Sequence, residues 1–150
     1  MSEYHVTVAW ARTSKDFTYE SYNRNHVWRV GHGTEIEASA APEYRGDGER
    51  IDPEEALVAA LSSCHMLTFL AIAARKRIGV ESYEDEAVGH MAKGANGKLW
   101  VSQVILRPRI RFMDEADVSR ELLDQMHHQS HEDCFIANSV KTEVKVEPRD

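Results

Sequence analysis

Asp52-Pro53-Glu54-Glu55-Ala56-Leu57-Val58-Ala59-Ala60-Leu61-Ser62-Ser63-Cys64-His65-Met66-Leu67 is the stretch around which this chain is organised. Asp52 suits a helix N-cap and Pro53 the first helical position, where its missing N–H costs nothing. Glu54 and Glu55 oppose the positive end of the helix dipole. The helix is expected to run from Pro53 to about Ile78, with Arg75, Lys76 and Arg77 in its last turn and Gly79 as its stop. Between Ala56 and Ala74 it carries no Asp, Glu, Lys or Arg. A membrane span is rejected all the same: Ser62, Ser63, Cys64, His65 and Thr68 put a polar band at the middle, where hydrocarbon penalises it most. A helix apolar nearly all round is one buried on several sides. A small domain has trouble covering such a helix alone, so a second chain is expected over part of it.

Upstream, Tyr4, Val6, Val8 and Trp10 alternate with His5, Thr7 and Ala9, the period of two of a half-buried strand. His26–Val30 and Glu35–Ala38 read as two further strands joined by a turn at Gly31-His32-Gly33. Those glycines precede no helix, so phosphate binding is discounted there. Pro42 to Asp52 is polar and glycine-containing and reads as a surface loop delivering the chain to the helix.

Downstream, Ser82–Lys93 and Lys98–Phe112 flank Gly94-Ala95-Asn96-Gly97, a strong hairpin signal, and Pro108 indicates an edge or bulge. A second, amphipathic helix is expected from about Glu115 to His131, with Val118, Leu122, Leu123 and Met126 inward, and a last strand over Lys141–Val146. The whole describes an α+β chain of one domain, residues 1–150, without repeats or low-complexity segments.

The 150 residues carry 18 Lys+Arg against 25 Asp+Glu, a formal charge of −7. No local basic cluster offsets that charge, so nucleic acid is a poor partner. With 42% apolar and 29% charged residues the composition is that of a folded globular protein, not a disordered or fibrous one. The N-terminal residues lack the basic and apolar regions of a secretory signal, so a cytoplasmic location is expected.

The two cysteines, Cys64 and Cys134, are the main chemical candidates. Under reducing conditions paired thiols are more often catalytic, redox-active or metal-binding than permanently bridged, although free cysteine is also an ordinary core residue. Cys64 falls mid-helix, where the dipole cannot activate it, so reactivity requires a nearby cation or hydrogen-bond donors. Arg45 and Arg50, in the loop before the helix, are the candidate cations, since that loop can fold over the helix, with a solvated loop as the bland alternative. Cys134, in His131-Glu132-Asp133-Cys134-Phe135, suits a resolving thiol if the fold brings it to Cys64. A metal site from His127, His131 and Cys134, with Cys64 or His65 adding a ligand, is the rival reading. It has no Cys-x-x-Cys, and Cys64 and His65 point about 100° apart on a helix. His65 is expected to pack beside the site.

The stretch quoted first resembles the N-P-E-E-L-L-x-A-A-x-x-x-C-H helix of the OsmC/Ohr family, the osmotically induced and organic hydroperoxide resistance proteins. Cys134-Phe135-Ile136-Ala137-Asn138-Ser139-Val140 resembles the region of that family's second cysteine. The order of elements agrees along most of the chain, and the loop Tyr44-Arg45-Gly46-Asp47 looks more like the OsmC-like branch. The resemblance implies antiparallel sheets packed on a long central helix and a second helix, in an intertwined homodimer. It implies a thiol peroxidase acting on organic hydroperoxides without a cofactor, reduced by an external thiol such as dihydrolipoamide. Cys64 would then be peroxidatic, Cys134 resolving, Arg45 the activating arginine and Glu54 the family glutamate. Helix geometry adds that Glu54 and Cys64, ten residues apart, are separated by about 15 Å along one straight helix, so they are expected to meet only between subunits. A thiol redox sensor without turnover is the remaining alternative.

Overall fold

The alternation at the N-terminus does form a strand. In the computed structural model, which describes every residue from Met1 to Asp150, β1 (Val6–Ala9) pairs antiparallel with β2 (His26–Val30), and β2 with β3 (Thr34–Ala38). Gly31 and Gly33 take positive φ (58° and 106°) in the β2–β3 turn, as the sequence indicated. The burial of β1 differs from expectation. Val6 and Val8 are 59% and 65% exposed, so the apolar face implied by the alternation is not covered within this chain.

These strands belong to the first of two compact units, Met1–Ala56; the second is Leu57–Asp150. The loop that closes the first unit is more structured than a solvated connection. Pro42–Tyr44 forms a 3₁₀ turn, and Arg45 after it adopts the left-handed conformation (φ 67°). The chain then folds back on β3: the Gly46 N–H donates to the Ala41 carbonyl (3.1 Å), the Asp47 N–H to Ser39 Oγ (3.0 Å), and Ile51 bridges to Ala38 in parallel. A side chain on Gly46 would overlap the Ala40 carbonyl group. Gly46→Ala is therefore expected to lower stability by about 3 kcal/mol, as overpacking against fixed backbone does. A denaturant midpoint unchanged from wild type would contradict this.

The helix start follows the local signals. The Glu55 N–H donates to Asp52 Oδ1 (2.8 Å) and the Asp52 N–H to Glu55 Oε1 (3.4 Å), a reciprocal cap. α1 (Pro53–Arg75) ends earlier than expected. Arg77 occupies the left-handed position (φ 59°), with its N–H on the Ala74 carbonyl (3.0 Å) and that of Ile78 on Ala73 (2.9 Å), the two bonds of a Schellman cap. Gly79 is thus not the helix stop. Its missing side chain leaves room for Met113, whose Sδ would lie 2.5 Å from a Cβ there.

The hairpin around Gly94–Gly97 forms, but each of its two expected long strands is broken in two. β4 (Val80–Asp85) and β5 (Val88–Lys93) precede the turn, and β6 (Leu99–Leu106) and β7 (Pro108–Phe112) follow it. β5 pairs with β6 and β4 with β7, both antiparallel. Asp85 sits at the break, accepting from the Arg107 N–H (2.6 Å) on one oxygen and from the Ser62 hydroxyl on the other. α2 (Arg120–Asp133) begins after the expected Glu115, because Ser119 provides the cap: its Oγ accepts from the Leu122 N–H at 3.1 Å. β8 (Glu143–Val146) then returns to pair in parallel with β6, Val144 opposite Val104.

α1 is long and apolar enough to cross a membrane by length and composition, yet it serves as the core helix of the second unit. Leu61 packs with Val104 and Leu106 of β6, while Phe69, Ile72 and Ala73 pack with Met126 of α2. Each of Leu61, Phe69, Val104 and Leu106 is wholly buried, burial worth about 1.5–3 kcal/mol per side chain.

Candidate functional site

Packing of α1 on α2 brings the two cysteines together. Cys64 faces partly outward from the middle of α1, and Cys134 is the buried C-cap residue of α2; both are free thiols. The Cys64 thiol is a close neighbour of Cys134. Burial pushes the Cys134 thiol up from its ordinary range, and contact with Cys64 adds to the rise. The Ala137 N–H, donating to Cys134 Sγ at 3.4 Å, opposes it. Cys134 is therefore a protonated thiol at neutral pH. Two neighbouring cysteines can close to a disulfide once one of them is oxidised.

His65, the next residue after Cys64, turns to the interior. It lies parallel to His127 of α2, ring centroids 5.3 Å apart, with Nε2 and Nδ1 sharing a hydrogen bond of 3.0 Å. Burial pulls His65 down to about 3 and His127 to about 4, so both rings are neutral at physiological pH. His127 also packs against Phe69, centroids 4.7 Å apart with the rings tilted by 32°. The expectation that His65 packs beside the cysteines thus acquires a partner that lies 62 positions away in sequence. No group of three or more His, Cys, Asp or Glu side chains is placed to hold a metal ion.

Arg45 and Glu54 belong to the first unit. The Arg45 guanidinium lies 5.7 Å from the centroid of the Tyr19 ring and makes no ion pair. Arg50 is engaged: it donates to the His26 carbonyl (3.3 Å) and lies 3.9 Å from both Glu37 and Asp47. Glu54 occupies the first turn of α1.

The family model for OsmC-like proteins matches residues 46–149. The chain belongs to the OsmC-like family. An OsmC-like protein of unknown function from Vibrio cholerae is 48% identical, with a TM-score of 0.95 over 99% of this chain and 100% of that one. The organic hydroperoxide resistance protein OhrB of Bacillus subtilis shares the fold at 18% identity, with a TM-score of 0.72 over 99% of this chain and 98% of its own. The uncharacterized protein YmaD of Bacillus subtilis is 26% identical over 129 residues, 83% of this chain and 84% of its own. The α+β architecture expected from the sequence is that of OsmC and Ohr structures.

Within this OsmC-like chain the sequence reading passed over Arg24. It is nine-tenths buried, lies 3.5 Å from the centroid of the Tyr22 ring, and donates to the carbonyls of Tyr22 (2.5 Å) and Tyr19 (2.6 Å). With Trp10, Phe17 and His26 it lines a cavity of about 390 Å³ in the first unit. The aromatic spacing of Phe17, Tyr19 and Tyr22 before Arg24 was the available signal, since guanidinium groups stack on such rings.

Proposed function

We propose that this chain is a thiol-dependent peroxidase that reduces organic hydroperoxides to alcohols, working as a cytoplasmic homodimer in defence against oxidative stress. The observation that carries the reading is the proximity of the free thiols of Cys64 and Cys134. Membership of the OsmC-like family supports it, as does a fold shared with proteins named for organic hydroperoxide resistance.

The Cys64 thiolate attacks the terminal peroxide oxygen. An S–O bond forms, the O–O bond breaks, and the alkoxide leaves and takes up a proton to become the alcohol. Cys134 then attacks the sulfenic sulfur. Its thiol proton leaves with the hydroxyl group as water, and the two chain sulfurs are joined. An external dithiol such as dihydrolipoamide restores both thiols by exchange and is itself oxidised to the disulfide. No resident cofactor enters the cycle.

Arg45 is the proposed activating cation and Glu54 the carboxylate that holds it, both supplied by a second copy. Support for the second copy comes from the uncovered apolar face of β1 and from the ten residues, about 15 Å of helix rise, between Glu54 and Cys64. Leu67, one turn beyond Cys64, is 60% exposed, and Phe135, adjacent to Cys134, is 82% exposed. They offer apolar surface to a hydrocarbon tail, each buried CH₂ contributing about 0.8 kcal/mol.

Cumene hydroperoxide supplied with dihydrolipoamide, or with dithiothreitol, tests the proposal. Sustained consumption over many equivalents per chain is expected. Consumption that stops at one equivalent, with reductant still in excess, would instead identify a redox switch without turnover.

A further inference from the structure

The two members of the thiol pair differ in what surrounds them. Cys64 lies partly open on α1, whereas Cys134 is 1% exposed. The chain leaves α2 at Cys134 and forms a 3₁₀ turn over Ala137–Ser139. Hydrogen bonds fix this segment: the Asn138 N–H donates to the Cys134 carbonyl (3.0 Å), Asn138 Nδ2 to the Glu132 carbonyl (2.9 Å) and Ser139 Oγ to the Phe135 carbonyl (2.7 Å). Ile136, Ala137 and Val140 also pack against the cluster of Leu61, Val104 and Leu106. Within the turn the Ala137 N–H donates to Cys134 Sγ, 3.4 Å away. The sulfur is thus closed off from solvent and held against a backbone donor.

We propose that, once the pair has closed to a disulfide, the reductant attacks Cys64 Sγ only, and the Ala137 N–H receives the departing Cys134 thiolate. The proposal deepens the peroxidase reading and rests on it only for the closure of the pair. Access decides which sulfur is attacked. In thiol–disulfide exchange the incoming thiolate approaches one sulfur in line with the bond that breaks. A reductant meets Cys64 at the surface. It reaches Cys134 only by displacing a turn that is bonded to itself and packed on the core.

The electrons follow the same direction. The reductant thiolate forms a bond to Cys64 Sγ, the bond between the two chain sulfurs breaks, and its electron pair leaves on Cys134 Sγ. Burial opposes a negative charge there. A donor already in place at the sulfur offsets that cost without reorganisation, because hydrogen bonds to a charged group are the strong ones. The proton released when the reductant ionises then returns Cys134 to the thiol. The second thiol of the external dithiol, ionised in turn, attacks its own first sulfur, closes the reductant's disulfide and expels Cys64 as thiolate. Two electrons pass from the dithiol to the protein, and both cysteines are free again.

Diamide closes the disulfide without any peroxide, which separates this test from peroxidase turnover. The closed protein is mixed with 2-mercaptoethanol, quenched in acid over a time course, alkylated with N-ethylmaleimide and mapped by peptide mass spectrometry. Mercaptoethanol on Cys64 with maleimide on Cys134 is expected in at least about tenfold excess over the reverse pairing. Ala137→Pro removes the donor at a position where a helical turn accepts proline. The opening rate is expected to fall at least about tenfold, as loss of a hydrogen bond to a charged group does. In a Cys64→Ser background, where Cys134 is the only thiol, ultraviolet thiolate absorbance should titrate about one pH unit higher with the proline than without it. Because proline also constrains Ile136 before it, the mapping in the unaltered protein decides the point of attack whatever the fold of the variant. A pair that diamide does not close, an adduct on Cys134 or divided evenly between the cysteines, or a folded Ala137→Pro protein with unchanged opening rate and titration would each overturn the proposal.

Discussion

Cys64→Ser is expected to abolish steady-state reduction of an organic hydroperoxide, with a loss of roughly 10³-fold or more, because the other thiol, Cys134, is buried and its pKa raised, which makes it a poor substitute nucleophile. Cys134→Ser should behave differently. With Cys64 intact, the first turnover proceeds and alcohol appears in an amount equal to the protein. The sulfenic acid then persists, or is slowly captured by added thiol, and the steady-state rate collapses. Rapid-quench measurement of alcohol per chain distinguishes the two variants. Equal bursts from both would mean that Cys64 is not the sulfur attacked. An undiminished steady state in Cys134→Ser would mean that the neighbouring thiol takes no part, despite its contact with Cys64.

Acid should unfold the protein early, through the histidine pair. Both rings titrate lower in the native state, His65 at about 3 and His127 at about 4, than in an unfolded chain, where both sit near 6.5. Above pH 6.5 neither state binds the protons, and the stability contribution of the pair is fully present. As pH falls below that value the unfolded chain gains protons that the native one refuses, so stability declines by about 1.4 kcal/mol per pH unit for each ring. By pH 4 the loss is on the order of 5 kcal/mol, a large share of the 5–15 kcal/mol that holds a typical domain. Urea midpoints at pH 7.0 and 4.5 measure it in wild type and in His65→Leu/His127→Phe. The double variant is expected to lose far less stability on acidification. Parallel declines in the two proteins would rule the pair out as the acid-sensitive element.

What could be read in advance was what lies close in sequence. Asp52, Pro53 and Glu55 set the start of α1 by contacts within four residues, and the glycines at 31 and 33 fixed the β2–β3 turn in the same way. The end of α1 was misread because its left-handed residue is Arg77, and Gly79, the obvious stop, is small for a tertiary reason, the approach of Met113. The breaks in the long hairpin depend on Asp85 reaching Arg107 and Ser62, bonds that no local pattern announces. The cysteines were visible as candidates from composition and from family resemblance, but their juxtaposition is a product of α1 packing on α2. The His65–His127 pair was hidden for the same reason, and Arg24 because the Tyr19 and Tyr22 rings gather around it only in the folded chain.

The placement of Cys64 and Cys134 on separate helices, 70 positions apart, has a thermodynamic consequence as well as a chemical one. Joining them would tie off about half of the chain and strip the denatured ensemble of loop freedom worth about 4 kcal/mol. Oxidation would thus toughen the very molecule that it takes out of service, and reductive recycling would return it to a softer form.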